Sequence, residues 1–367
     1  MLRRDFLRYA GGSLGGAAAS ATFGRLAAAA PRVDPKACFL PFDPAGKPFT
    51  WKAKPGPYRI AVANSLISND WRVEMVRMAR AYAARPNIKP LIKELIVNSS
   101  GNEVAAQIAQ FEQLILQGVD IIVTNAASPT GLNDVIKEAV DAGILVVSFD
   151  NVVTSPYAML VNHDQMEMGR IWAQFIADQT NGKGKVLMVR GIAGTFGDEV
   201  FTKGGMEVFA KHPGIELIQV NGDWDQGKSQ KVTADALAAG HKFDGVWSEY
   251  GDTGVVRAFL QSGKTMPPMA GQSENGFRKL AAEHKFPILS AGVAPGLVAA
   301  SMEAAFAVLD GQTVPQSVRV PLDLVKTEDL KAGVNYFPNL PDSFVAGFNV
   351  PQCGLEFTVE EIMAQPT

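Results

Sequence analysis

From Tyr58 onward the chain alternates short apolar runs with longer stretches of helical spacing. Runs such as Ile121-Ile122-Val123 and Ile144-Leu145-Val146-Val147 carry no polar face, as strands covered on both sides require. The β-rich runs of the first half are Tyr58–Asn64, Leu91–Asn98, Asp120–Asn125, Ile144–Asp150 and Ala158–Asn162. Between them, Val73-Val76-Met78-Ala79 and Val104-Ile108-Phe111-Leu114-Ile115 mark one face of a helix each. The pattern then starts again, with strands at Lys185–Arg190, Ile215–Val220, Gly245–Ser248 and Pro287–Val293. Strand–helix alternation at this spacing predicts βαβ units, hence an α/β protein of two doubly wound parallel-sheet lobes. Ligands of such sheets bind beyond the carboxyl ends of the strands. The residues there are polar or aromatic: Asn64-Ser65, Asn125, Asp150-Asn151, Trp224 and Tyr250. Turn and cap chemistry explains any one of them equally well, but as a set they would line one cleft.

Composition agrees with this picture. At 367 residues the chain has room for about two domains. Its 47% hydrophobic and 19% charged content excludes a disordered chain. The net charge of −3, without a basic block, argues against nucleic acid as a partner. That charge is unevenly placed. Residues 1–30 hold Arg3, Arg4, Arg8 and Arg25 against Asp5 alone; 30 basic and 36 acidic residues remain outside them, a balance of −6. A basic start, a weakly apolar glycine-rich stretch and small residues up to Ala30-Pro31 read as a secretory signal, removed on export. Arg3-Arg4-Asp5-Phe6-Leu7 resembles the twin-arginine export motif; the competing reading is an ordinary amphipathic N-terminal helix. Seven prolines between 31 and 57 predict an irregular leader.

Export through that route invites an oxidoreductase, yet the residues for one are missing. Two cysteines give no Cys-x-x-Cys set, and His163, His212, His241 and His284 are scattered. No cofactor and no metal are expected. Cys38 and Cys353 either form one disulfide in an oxidising compartment or remain two buried thiols. Gly222-Asp223-Trp224-Asp225-Gln226-Gly227-Lys228-Ser229 fits the phosphate-binding G-x-x-x-x-G-K-S pattern, but two carboxylates inside the loop oppose a bound phosphate. Gly191-Ile192-Ala193-Gly194-Thr195 suits a tight strand-to-helix turn facing the cleft better than a dinucleotide site.

Taken in order, Arg59-Ile60-Ala61-Val62, Asn69-Asp70-Trp71-Arg72, Gly118-Val119-Asp120-Ile121-Ile122-Val123, Ala142–Asp150, Gly191–Thr195 and Phe209–Ile215 resemble the sugar-binding proteins of ABC importers. The match is to the ribose-binding-protein-like, type I periplasmic group, from Tyr58 to about Lys326. The resemblance implies two lobes joined by three crossovers, near His163-Asp164, Val293-Ala294 and Pro321–Asp323, with a ligand cleft between them. It implies an N-terminal lobe of 58–163 plus 294–321, a C-terminal lobe of 164–293 plus 322–334, and an extension at 335–367. It also implies a periplasmic monomer that closes on a sugar, polyol or sugar acid and delivers it to a membrane permease, without catalysis. The alternatives are a sensor that presents a sugar or autoinducer to a receptor, and an exported enzyme on the same scaffold.

Carried over by position, the ligand-binding set is Ser65, Asn69, Trp71, Arg72, Asp150, Asn151, Trp224, Tyr250, Asp252 and Glu274. Several family contacts are altered: Phe201 or Thr202 stands where the family has an arginine, and Val293 where it has a hinge glutamine. Arg72 is then expected to supply the missing cation from the opposite lobe, which would suit a sugar acid.

Overall fold

The structure, a computed structural model, describes residues 35–67 and 69–367. The export segment of 1–30 lies outside the described residues. The first half of the chain runs α1 (Pro35–Cys38), β1 (Leu40–Pro41), β2 (Pro48–Phe49), β3 (Tyr58–Asn64), α2 (Asp70–Ala84), β4 (Ile92–Ser99), α3 (Val104–Gln117), β5 (Ile121–Asn125), α4 (Asn133–Asp141), β6 (Leu145–Phe149) and β7 (Met159–His163). The second half begins α5 (Gln165–Gln179), β8 (Lys183–Arg190), α6 (Phe196–Phe209), β9 (Gly214–Asn221), α7 (Gln226–Ala238), β10 (Gly245–Ser248), α8 (Asp252–Gln261), β11 (Met269–Gly271), α9 (Asn275–His284) and β12 (Ile288–Ala291). It ends with α10 (Leu297–Leu309), β13 (Val314–Pro315), β14 (Ser317–Val320), β15 (Leu324–Lys326) and α11 (Val359–Met363).

Among the described residues two large sheets result, as the alternation predicts, beside a small two-stranded one. The first has the order β1-β14-β7-β6-β5-β3-β4, parallel except for β1; the second has β15-β12-β11-β10-β8-β9, parallel except for β15. Each sheet is covered on both faces, so successive residues of one strand enter different cores. In β3, Ile60 and Val62 join α2 and α10 on one face, while Ala61 and Ala63 face α3 and α4 on the other. Val186 and Met188 of β8 likewise face α5 and α6, and Leu187 and Val189 face α7 to α9. Helix α10 is buried along its whole length.

The proline-rich leader is less irregular than its composition suggests. Its β1 pairs antiparallel with β14 at the sheet edge, and its β2 pairs with β13. Prolines are tolerated there because an edge strand leaves one side of its ladder unpaired. Strands β11, β14 and β15 have four residues or fewer and leave no legible run in the sequence.

The chain crosses between the sheets three times: after β7, after β12 and after β14. His163 joins all three crossings. Its Nδ1–H donates to the Val320 carbonyl at 3.0 Å, and its Nε2 accepts the Ala294 N–H at 3.3 Å. The Ala294 N–H needs an unprotonated Nε2 and hence the neutral imidazole, whereas the Val320 carbonyl would accept from either form. Burial pushes the His163 pKa down from 6.5 to about 4, against the pull of the Val320 and Pro321 carbonyls.

The C-terminal stretch is hydrogen-bonded to both lobes. Asn275 Nδ2 donates to the carbonyls of Phe337, Leu340 and Pro341, and Arg278 NH1 donates to that of Asn335. On the other side, the Val345 N–H donates to Glu74 of α2 at 3.0 Å, and Cys353 is disulfide-bonded to Cys38.

Two outcomes follow for stability. The disulfide closes a loop of 315 residues; reducing it should cost about 2–5 kcal/mol. Urea unfolding with and without reductant measures this, and an unchanged midpoint would refute it. For His163, the unfolded chain binds a proton below about 6.5 while the folded one resists until about 4. Stability should therefore fall as pH drops across that window, by on the order of 3 kcal/mol. His163→Gln should flatten this part of the pH–stability curve.

Candidate functional site

A cavity of about 50 Å³ lies between the lobes, lined by Asn69, Trp71, Arg72, Asp150, Asn151, Gly197, Phe201, Trp224, Glu249, Tyr250, Gln272 and Val293. These residues come from the segments that follow the carboxyl ends of the parallel strands, either directly, as Asp150, Asn151, Glu249, Tyr250, Gln272 and Val293 do, or from the first turns of the next helix, as Trp71, Arg72, Gly197 and Phe201 do.

The first lobe supplies a polar wall with its charges already matched. Asn69 caps α2 by accepting the Arg72 N–H at 3.0 Å, which sets the first turn bearing Trp71 and Arg72. The buried Arg72 guanidinium pairs with Asp150 at 3.2 Å, donates to Asn64 Oδ1 at 3.1 Å and lies 5.0 Å from the Trp71 ring centroid. Burial lowers the Arg72 pKa and the Asp150 charge opposes that shift. Asp150 adopts a left-handed backbone (φ 55°) and also accepts from Asn125 at 2.7 Å and Asn151 at 3.1 Å. Ser65 stands behind this wall, its hydroxyl donating to Asn125 Oδ1 at 3.3 Å.

The second lobe supplies an aromatic wall built around Trp224. Asp223 and Trp224 are consecutive residues with φ of 53° and 55°, a conformation bulky side chains rarely take. The indole Nε1–H donates to Glu249 Oε2 at 3.2 Å. Glycines leave the ring its place: a Cβ on Gly191 would collide with the indole and the Glu249 carboxyl, and one on Gly197 would press on the ring edge. Glu249 is fully buried and also accepts the Gly191 N–H at 2.9 Å and the Thr202 hydroxyl at 3.1 Å. Burial, then the Asp198 charge, raise its pKa well above the usual carboxyl range. The buried Tyr250 hydroxyl has no hydrogen-bond partner among the described residues, and burial, then Glu274, keep it a neutral phenol.

Three bonds join this cavity to the crossings and across the lobes. Trp71 Nε1–H donates to the Val293 carbonyl at 2.6 Å, Gln272 Oε1 accepts the Val293 N–H at 3.0 Å, and the Gly197 N–H donates to Asn151 Oδ1 at 3.1 Å.

Seven of the ten residues singled out from sequence line the cavity: Asn69, Trp71, Arg72, Asp150, Asn151, Trp224 and Tyr250. Ser65, Asp252 and Glu274 do not. Glu274 instead caps α8, accepting from the Gly251 and Thr253 N–H groups at 2.7 and 2.9 Å and from the Thr253 hydroxyl at 2.6 Å. Asp252 lies buried beside it, and burial, then Glu274, raise its pKa well above normal. Arg72 does not stand free for a ligand either, since Asp150 of its own lobe takes its charge. Glu249 and Gln272 line the cavity without being singled out from the sequence: Glu249 directly follows the run Gly245–Ser248, a signal that could have found it, whereas Gln272 follows the three-residue β11, which leaves no run. The G-x-x-x-x-G-K-S segment holds no phosphate loop: Lys228 pairs with Asp223, and Asp225 caps α7 by accepting the Lys228 N–H at 2.7 Å. Among the described residues, no cluster of three or more histidine, cysteine or acidic side chains could hold a metal ion.

A family profile for the periplasmic binding protein domain matches residues 60–313. The xylitol-binding protein of Mycolicibacterium smegmatis is 29% identical over 195 residues, covering 52% of this chain and about half, 54%, of that protein's length. The ribose import binding protein RbsB of Escherichia coli is 26% identical over 272 residues, 72% of this chain and 90% of that one. Among solved structures, an ABC transporter solute binding protein from Thermobispora bispora superposes with a TM-score of 0.70 at 27% identity, covering 74% of this chain and 86% of the other. One from Bacillus halodurans with bound myo-inositol gives 0.66 at 21% identity, covering 76% and 97%, a likeness of fold.

The glycine at 191 offers a direct check on the aromatic wall. Gly191→Ala should displace the Trp224 ring, changing its fluorescence maximum, while Ala substituted at Gly194, where a Cβ meets nothing within 4 Å, should leave that emission alone. Identical spectra for Gly191→Ala and the parent protein would contradict the packing described.

Proposed function

The chain belongs to the periplasmic binding protein family, in its ribose-binding-like type I group, and we propose that it is the substrate-binding component of an ABC importer. In this reading it takes a small sugar or polyol between its lobes in the periplasm and hands the closed, loaded form to a membrane permease, as a monomer and without catalysis. The observation that carries the reading is the two-sided cavity itself. Aromatic rings from both lobes, Trp71 on one and Phe201, Trp224 and Tyr250 on the other, enclose a ring of polar groups at the strand ends. Aromatic faces suit the C–H faces of a sugar, while carboxyl and amide groups meet its hydroxyls. The unpartnered Tyr250 hydroxyl is free to add such a contact.

The relatives support binding over chemistry, since they are named as binding proteins for xylitol and for ribose import. Import is favoured over sensing on the same ground. A sugar acid held by Arg72 is not favoured, because the Arg72 charge is already met by Asp150 and the other ionised group of the cavity would be an acid. The basic N-terminal segment fits export, with the signal removed.

A thermal-shift panel of pentoses, hexoses, inositols and alditols tests the reading. A ligand at a hundred times its Kd stabilises by about 2.7 kcal/mol, enough to raise the midpoint visibly. Trp224→Ala should weaken that ligand by at least tenfold. A panel that shifts nothing would overturn the proposal.

A further inference from the structure

The charges around the cavity do not balance. Of its lining residues, Arg72, Asp150 and Glu249 carry charge when ionised. Arg72 and Asp150 are partners at 3.2 Å, which leaves Glu249 alone. Its three hydrogen-bond partners, the Gly191 N–H, the Trp224 indole N–H and the Thr202 hydroxyl, are all neutral. They orient the carboxyl without compensating it. The nearby Asp198 adds negative charge, and the Arg190 guanidinium is paired with Asp198 at 2.6 Å.

Buried charges are found paired, or else they give up their charge. Glu249 is fully buried, yet it forms part of the cavity wall, so the partner that would let it ionise can come from the cavity's occupant. The residues beside it favour a cation too. The rings of Trp224, Phe201 and Tyr250 share the same wall, and aromatic faces attract an ammonium group. The strained backbone at Asp223 and Trp224 shows how much local structure is given over to holding that indole against Glu249.

We propose that the ligand of this cleft is a small polyhydroxylated molecule carrying a protonated amine, and that Glu249 is the residue that selects it. The inference rests on the reading of the cleft as a site for sugars or polyols. Its consequence is proton-linked binding. Without ligand, burial and Asp198 favour the neutral carboxylic acid at Glu249. The incoming ammonium stabilises the carboxylate, and the Glu249 proton leaves to the solvent. Around Glu249 stand Asp198, which is paired with Arg190, and Thr202 from α6; the other titratable groups that line the cavity are the Tyr250 phenol and the Arg72–Asp150 pair. None of them supplies a free cation in competition with the ligand.

Isothermal titration of the whole protein with matched pairs decides the matter: sorbitol against 1-amino-1-deoxysorbitol, and glucose against glucosamine. At least one amine is expected to bind ten or more times tighter than its neutral parent. Its affinity should rise with pH, by up to tenfold per unit, until either Glu249 ionises unaided or the amine itself loses its proton. In Glu249→Gln the ratio of amine to neutral affinity should fall to about one and the pH slope should vanish. The wild-type comparison and its pH slope need no variant, so a misfolded E249Q leaves the test intact. Neutral parents binding as tightly as the amines would overturn the proposal and leave the sugar or polyol reading standing. Binding by no member of either pair, together with no response in the wider panel of neutral ligands, would overturn both.

Discussion

Two lobes that exchange the chain three times can face each other in register only if the three crossings stay together. In this protein one buried imidazole does that. His163 ends β7, donates to the crossing after β14 and accepts from the crossing after β12. Because burial keeps the ring neutral and the Ala294 bond uses its bare Nε2, the crossing region is held by a group that ordinary pH does not charge. The neighbouring Val293 extends the same device into the cavity. Its N–H is held by Gln272 of the second lobe and its carbonyl by Trp71 of the first. The axis between the lobes and the walls of the cleft are therefore parts of one hydrogen-bonded unit.

The walls differ in how they are made. The first-lobe wall is a polar relay in which Asn64 holds Arg72, Arg72 holds Asp150, and Asn125 with Ser65 supports Asp150 from behind. Its charges cancel within the lobe. The second-lobe wall is an aromatic platform that needs absent side chains as much as present ones. The Trp224 ring occupies volume that a Cβ at Gly191 would take, and its indole N–H ends on Glu249. Here Glu249 has no cationic partner, and in that the two walls differ.

Much of this was legible in the chain. Continuous apolar strands with helical spacers fixed two doubly wound sheets, because a strand buried on both faces has no alternative composition. The residues that follow those strands, Asp150-Asn151, Trp224 and Tyr250, reach the cavity because all strand ends of a parallel sheet point the same way. What stayed hidden has two causes. Strands as short as β11 carry no periodicity, so Gln272 behind it drew no notice. And a position past a strand does not say which way its side chain turns: Ser65 supports the wall, while Glu274 turns to the N–H groups that open α8. Arg72 illustrates a third difficulty. A cation read alone invites an anionic ligand, and only the distance to Asp150 shows that its charge is taken.

The C-terminal stretch, whose purpose the sequence leaves open, bears on the same crossings. Phe344 and Ala346 are hydrogen-bonded to Asn275 and Ser273 of the second lobe, while Val345 between them donates to Glu74 of the first. Glu74 is buried, and burial pushes its pKa well up, so this acceptor sits in a dry interface where a lost bond is costly. Farther along, Cys353 is tied to Cys38, beside the strand that edges the first sheet. Any separation of the lobes must break the Val345–Glu74 bond or pull this covalently anchored segment away from Ser273 and Asn275. The extension thus adds a fourth link between the lobes beside the three crossings.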